Sequence, residues 1–138
     1  MDNLVLEVWQ ADGAGIFRHP VDTRYADADP NFFGWGRTQT DKQGQYRFRT
    51  IKPGAYAMPD GAIRAPHVNV LILSSGLMRQ LRTVLFFDGE ARNDTDPVLV
   101  AVRPAELRRR LLAQREGPAR YRFDIRLRGE GETPFFDD

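Results

Sequence analysis

Tyr56 and His67 are the side chains of this sequence best suited to chemistry, and both lie in the run DKQGQYRFRTIKPGAYAMPDGAIRAPHVN of residues 41–69. A phenol and an imidazole can move protons or, with further donors, ligate a metal ion. Each also has a plain structural reading. An aromatic after Pro53-Gly54 packs over its turn, and a lone histidine after Pro66 at the start of a strand is a satisfied buried residue. His19, the other of the two histidines, lies in a loop and could stand in as a ligand. Arg108, Arg109 and Arg110 read as a solvated helix face, with partner binding as the alternative. Glu130, Glu132, Asp137 and Asp138 resemble paired carboxylates, but a chain end does not hold general acids in register, so they read as an interface or a solvated end. With no cysteine in the chain, disulfides, thiolate metal sites and cysteine nucleophiles are excluded.

The elements that must position these groups are β-strands. Gln45, Arg47 and Arg49 alternate with Tyr46 and Phe48, the period of two of a strand with one wet face. Gly44 turns the chain into that strand, and Pro53-Gly54 stops it. Residues 4–9 alternate in the same way, and residues 121–127 set Tyr121, Phe123, Ile125 and Leu127 against arginines and Asp124. Residues 67–73 and 81–87 are apolar with β-branched and aromatic content, so Ser74-Ser75-Gly76 is expected to turn a hairpin between them. Residues 11–31, rich in Gly, Asp and Pro, form a long loop of the kind that is more often functional than idle. One helix is expected from Pro104, with Glu106 in its first turn and Leu107, Leu111 and Leu112 on one face. The fold class is therefore all-β, a β-sandwich with one helix in its C-terminal half.

At 138 residues the chain has the length of one domain, 1–138, able to bury a substantial core. Its 20 Lys and Arg nearly cancel 19 Asp and Glu, so no global field draws in nucleic acid or an anionic membrane. No apolar run is long enough to span a bilayer and the first residues lack a secretory pattern, so a cytoplasmic location is expected. Phe32, Phe33 and Trp35, between Gly34 and Gly36, and Phe135-Phe136 near the C-terminus lie outside any strand pattern that would bury them. Such groups need a cover, which a partner would supply.

Four segments together resemble the intradiol ring-cleavage dioxygenases, and among them the alpha chains of the protocatechuate-cleaving type. They are LEVWQADGAG at 6–15, DPNFFGWGRTQTDKQGQYRFRTIKPG at 29–54, RAPHVNV at 64–70 and YRFDIRLRGEGETPFFDD at 121–138. The match runs along essentially the whole chain, and the GEGET ending with paired phenylalanines is its most specific element.

The resemblance implies a ferric site of two tyrosines and two histidines with an open position for a catecholate, suited to a hard cation. Matched motif by motif, those positions are Phe17, Tyr56, His67 and Asn69. Phenylalanine has no donor atom and an amide oxygen is a poor ligand for Fe(III), so two of four ligands survive. This implies no metal and no catalytic residue in this chain, with Fe(III) carried by a beta-chain partner. Val84 occupies the place of a substrate-side glutamine. Arg64 keeps the place of an arginine that stabilises the bound substrate. Ser75 replaces an arginine before the hairpin glycine. These three positions are substrate-side or interface candidates. The resemblance further implies an alpha chain short at its N-terminus, lacking a strand and a loop that reach the shared site, and a catechol substrate, protocatechuate. The alternatives are a self-sufficient dioxygenase with a rebuilt iron site and a stand-alone β-sandwich binding module.

Overall fold

The alternation of residues 4–9 makes the strand β1, Val5–Gln10, in a six-stranded sheet. In the computed structural model, which describes residues 4–74 and 80–136, β1 is joined by β2 (Trp35–Gln39), β5 (His67–Leu73), β6 (Leu81–Phe87), β7 (Leu112–Gly117) and β8 (Arg120–Arg122). The spatial order is β2-β1-β5-β6-β7-β8, and the short strands β3 (Tyr56–Ala57) and β4 (Ile63–Arg64) form a separate pair. The expected hairpin is present as the antiparallel β5–β6 pair. Its turn, with Ser75, lies outside the described residues.

Two apolar clusters cover the two faces of the sheet, as the period of two requires. Leu6 opposes Ile72 and Val8 opposes Val70, and with Leu4 these build one cluster. On the other face, Val84 and Phe86 pack with Ala65, Leu99, Val102 and Leu111. The architecture is all-β, mostly strands in a curled sheet with little helix.

Tyr46 and Phe48 pack against the first cluster together with Ile125 and Leu127, while Gln45, Arg47 and Arg49 are exposed. The alternation at 45–51 and 121–127 thus predicts the burial of Tyr46, Phe48, Phe123, Ile125 and Leu127 correctly but fails at Ile51, which is exposed, and it overstates the strand content. Residues 45–51 join no ladder, and only Tyr121 and Arg122 of the second stretch pair in one. A side-chain pattern records which face meets the core, whereas a ladder needs a neighbouring backbone in register. The two segments are tied instead by the Tyr46 hydroxyl, which donates to the Phe123 carbonyl. Conversely, Trp35 opens β2 opposite Trp9 and is not a loop residue.

The expected helix is a 3₁₀ helix over Ala105–Leu111, with Pro104 as its N-cap, and Leu112 already belongs to β7. Tertiary placement overrides helix propensity here, because Leu112 must reach Phe86 to begin the parallel β6–β7 pairing. Leu111 is fully buried, and Leu107 and Leu112 flank the second cluster. A four-residue α-helix, α1 (Pro97–Val100), precedes it. Phe135 and Phe136 also depart from expectation. They pack against opposite clusters, and the Phe136 N–H donates to the Arg82 carbonyl, so this chain itself covers them.

Candidate functional site

Tyr56 is delivered by a contact that only glycines allow. A Cβ on Gly54 would lie 2.6 Å from the Gly13 oxygen and 2.7 Å from the Gly15 nitrogen, and one on Gly15 would lie 2.2 Å from the Ala55 oxygen. Gly15 also sits at φ +82, which L side chains rarely adopt. The turn at 53–54 therefore presses directly on the loop at 12–15. Two carboxylates shape that loop. Asp12, buried, accepts from the N–H groups of Ala14, Ile16 and Asp29 at 2.9 Å each. Asp22 accepts from the N–H groups of Phe17 (3.0 Å) and Arg24 (2.8 Å), and the Arg24 guanidinium donates to the Gly15 oxygen. Burial alone would raise both carboxyls. The backbone donors prevail and hold both below the usual carboxylate value. The loop is thereby fixed with Phe17 against Tyr56, ring centroids 5.3 Å apart and planes at 82°.

His67, the first residue of β5, continues this stack. Its ring lies 5.8 Å from that of Tyr56 and 5.9 Å from that of Phe86, its strand partner. Nδ1 is 2.7 Å from the Ala65 carbonyl oxygen. Because a carbonyl only accepts, Nδ1 carries the proton of the neutral ring. Burial, helped by the Arg64 charge, pushes the His67 pKa down to about 4, so the ring is neutral near pH 7. Burial likewise raises the Tyr56 phenol above its ordinary value, which keeps it protonated.

Behind the stack lies Asp96, a buried group that pattern reading had not singled out. One of its oxygens accepts from Arg64 Nε at 2.9 Å and from the Ala65 N–H at 2.8 Å. The other caps α1 through the N–H groups of Val98 and Leu99 at 2.9 and 3.0 Å. The sequence signal was available, since Asp before Pro97 reads as an N-cap followed by a first-turn proline. The Arg64 side chain is only 11% exposed and its Nε is committed to this carboxylate. Asn69 sits two residues beyond His67 on the same face of β5, between Trp9 and Val84, and its amide NH₂ donates to the Trp9 carbonyl at 3.4 Å. Val84 is buried in the second cluster. His19 is an exposed loop residue whose Nδ1 accepts the Val21 N–H at 3.1 Å.

Comparison with known proteins decides the family. The model of the dioxygenase family matches residues 1–129. The chain is also similar to the protocatechuate 3,4-dioxygenase alpha chain of Pseudomonas putida, 40% identical over 137 residues. It belongs to the intradiol dioxygenase family. Among intradiol dioxygenases it is similar to both chain types. The alpha chain of Burkholderia cepacia is 42% identical over 144 residues and the beta chain of that organism 40% over 141. These matches take in 96–99% of this chain but 66%, 60% and 69% of the P. putida alpha, B. cepacia beta and B. cepacia alpha chains.

Intradiol dioxygenases use iron, and the residues at the four positions that the resemblance assigns to its ligands do not fit it. Phe17 sets a hydrocarbon ring against Tyr56. Asn69 turns its NH₂ to a backbone carbonyl. Tyr56 and His67 remain the two donors, and among the described residues no three His, Asp or Glu side chains gather around a common point.

Proposed function

We propose that this chain is the alpha-type subunit of a protocatechuate 3,4-dioxygenase, holding no iron and supporting intradiol cleavage of protocatechuate by a beta-chain partner. The observation that carries this reading is the Phe17–Tyr56 contact: a ring without a donor atom packs where the family resemblance places a second tyrosinate. Identity alone does not separate the two chain types, since alpha and beta relatives are equally similar. The ligand positions favour the alpha reading.

In this reading Fe(III) belongs to the partner and no step of the chemistry runs through Tyr56 or His67. The chain contributes a rigid apolar wall, in which Phe17, Tyr56, His67 and Phe86 stack in series and Asp96 locks Arg64 behind them. Of the aromatic residues expected to need a cover, Phe33 and Trp35 stay exposed, at 76% and 59%, next to and within β2. That strand has a single neighbour in the sheet, and exposed aromatics beside an open edge suit subunit association. Residues 1–138 act as one domain in a cytoplasmic complex.

Co-expression with an intradiol beta chain that has both tyrosines and both histidines tests the proposal. The expected result is a stable complex that contains iron and consumes oxygen with protocatechuate. If instead the chain is a well-behaved monomer by light scattering and no beta chain changes that, the subunit reading fails in favour of a stand-alone binding module.

A further inference from the structure

The arginine run at 108–110 divides between two tasks. Arg108 is structural, donating from Nε to the Val102 oxygen at 3.0 Å and from Nη2 to the Val100 oxygen. Arg109 and Arg110 instead line an open cleft of about 390 Å³ together with Arg122 and Arg126. Leu112, Phe123 and Thr133 also line it.

Contacts within the chain hold three of these arginines, Arg110, Arg122 and Arg126. Arg110 donates to the Glu132 carbonyl at 3.1 Å, and Arg122 donates to Asp124 at 3.0 Å. Arg126 is fixed through its backbone, whose N–H donates to Thr133 Oγ1 and whose carbonyl accepts the Thr133 N–H. Its side chain then lies across Gly131, where a Cβ would sit 3.2 Å from Arg126 Cδ. Among the described residues Asp124 is the one carboxylate lining the cleft, and it offsets Arg122. The remaining positive charge has no counter-ion among the described residues of the lining.

We propose that this cleft binds a small organic polycarboxylate. Guanidinium forks match carboxylates in charge and planar geometry, and several arginines lining one cleft favour more than one carboxylate per ligand. The volume lies within the range of small-molecule sites. The apolar Leu112 and Phe123 provide contact for a carbon skeleton, which inorganic phosphate lacks.

Isothermal titration at fixed ionic strength, with citrate, acetate and inorganic phosphate as probes, tests the assignment on the full chain or its complex. Citrate should bind at one site per chain with a dissociation constant below about 1 mM, and acetate at least tenfold more weakly. The double variant Arg109→Gln/Arg126→Gln should weaken citrate at least tenfold with an unchanged melting temperature. Should that variant unfold, each single variant is measured and should weaken citrate at least threefold. The proposal is overturned if the variants bind citrate as the parent does, or if acetate matches citrate. Phosphate binding as tightly as citrate would show that charge alone is recognised, and would overturn the polycarboxylate assignment.

Discussion

The rings of Phe17 and Tyr56 meet edge to face at 5.3 Å, one from the loop after β1 and the other from β3. If Phe17 and Tyr56 hold the two positions that the family resemblance assigns to tyrosine ligands, a neutral aromatic contact stands in place of a pair of phenolates.

Restoring the donor set should therefore require two substitutions. Phe17→Tyr alone, or Asn69→His alone, leaves three donors, and neither variant should retain iron through gel filtration; the parent chain should be colourless and free of stoichiometric iron. The double variant should take up ferric iron and show a tyrosinate charge-transfer band in the visible spectrum. A visible band from the parent or from either single variant would show that the ligand positions are misassigned.

Asp96 should be the most sensitive polar residue of the described structure. It is fully buried and accepts from Arg64 and from the N–H groups of Ala65, Val98 and Leu99. Asp96→Ala leaves the Arg64 guanidinium without its carboxylate, a change of the kind that costs about 3–5 kcal/mol. Urea denaturation should show this as a lowered midpoint; a loss of less than about 1 kcal/mol would mean that Arg64 finds another partner or water.

His67 should make stability depend on pH on the acid side. Its pKa is about 4 when folded against an ordinary 6.5, so between those values the unfolded chain binds the extra proton. Stability then falls as pH drops from about 6.5 toward 4, by up to about 3 kcal/mol from this group alone. His67→Gln should flatten that part of the profile in thermal melts from pH 7 to 4.5. An unchanged slope would assign the acid sensitivity to the carboxylates.

Phe33 and Trp35 should govern association. Replacing both with serine removes large exposed apolar groups beside the open edge of β2 and should leave the melting temperature within a few degrees of the parent. Sedimentation should show that the parent chain alone self-associates, that the variant does not, and that the variant binds a beta chain at least tenfold more weakly. Unchanged assembly would place the interface elsewhere on the molecule.

How much of this was legible in the sequence differs from element to element. The period of two marked β1 and the inward-facing Tyr46, Phe48, Ile125 and Leu127, and apolar β-branched runs marked the β5–β6 hairpin, because burial of alternate or successive residues is a local property of the chain. The same period could not show that residues 45–51 lack a ladder, since hydrogen-bonded pairing depends on where another segment of backbone lies. The composition of 105–112 likewise suggested a longer helix, and the need to seat Leu112 beside Phe86 shortened it to a 3₁₀ helix.

At the site, the sequence by itself determined which atoms are present: a phenol at 56, an imidazole at 67, no donor at 17 and an amide at 69. Only the tertiary structure decided that Phe17 reaches Tyr56, because that contact depends on the steric fit of Gly15 to Gly54 and on loop carboxylates that bind distant backbone N–H groups. Tertiary structure also decided that Arg64 turns to Asp96, thirty-two residues along the chain, and that Phe135 and Phe136 are covered from within. A single carboxylate can satisfy an arginine, a strand N–H and a helix cap only after all three have been brought to one buried point, and no local pattern encodes that meeting.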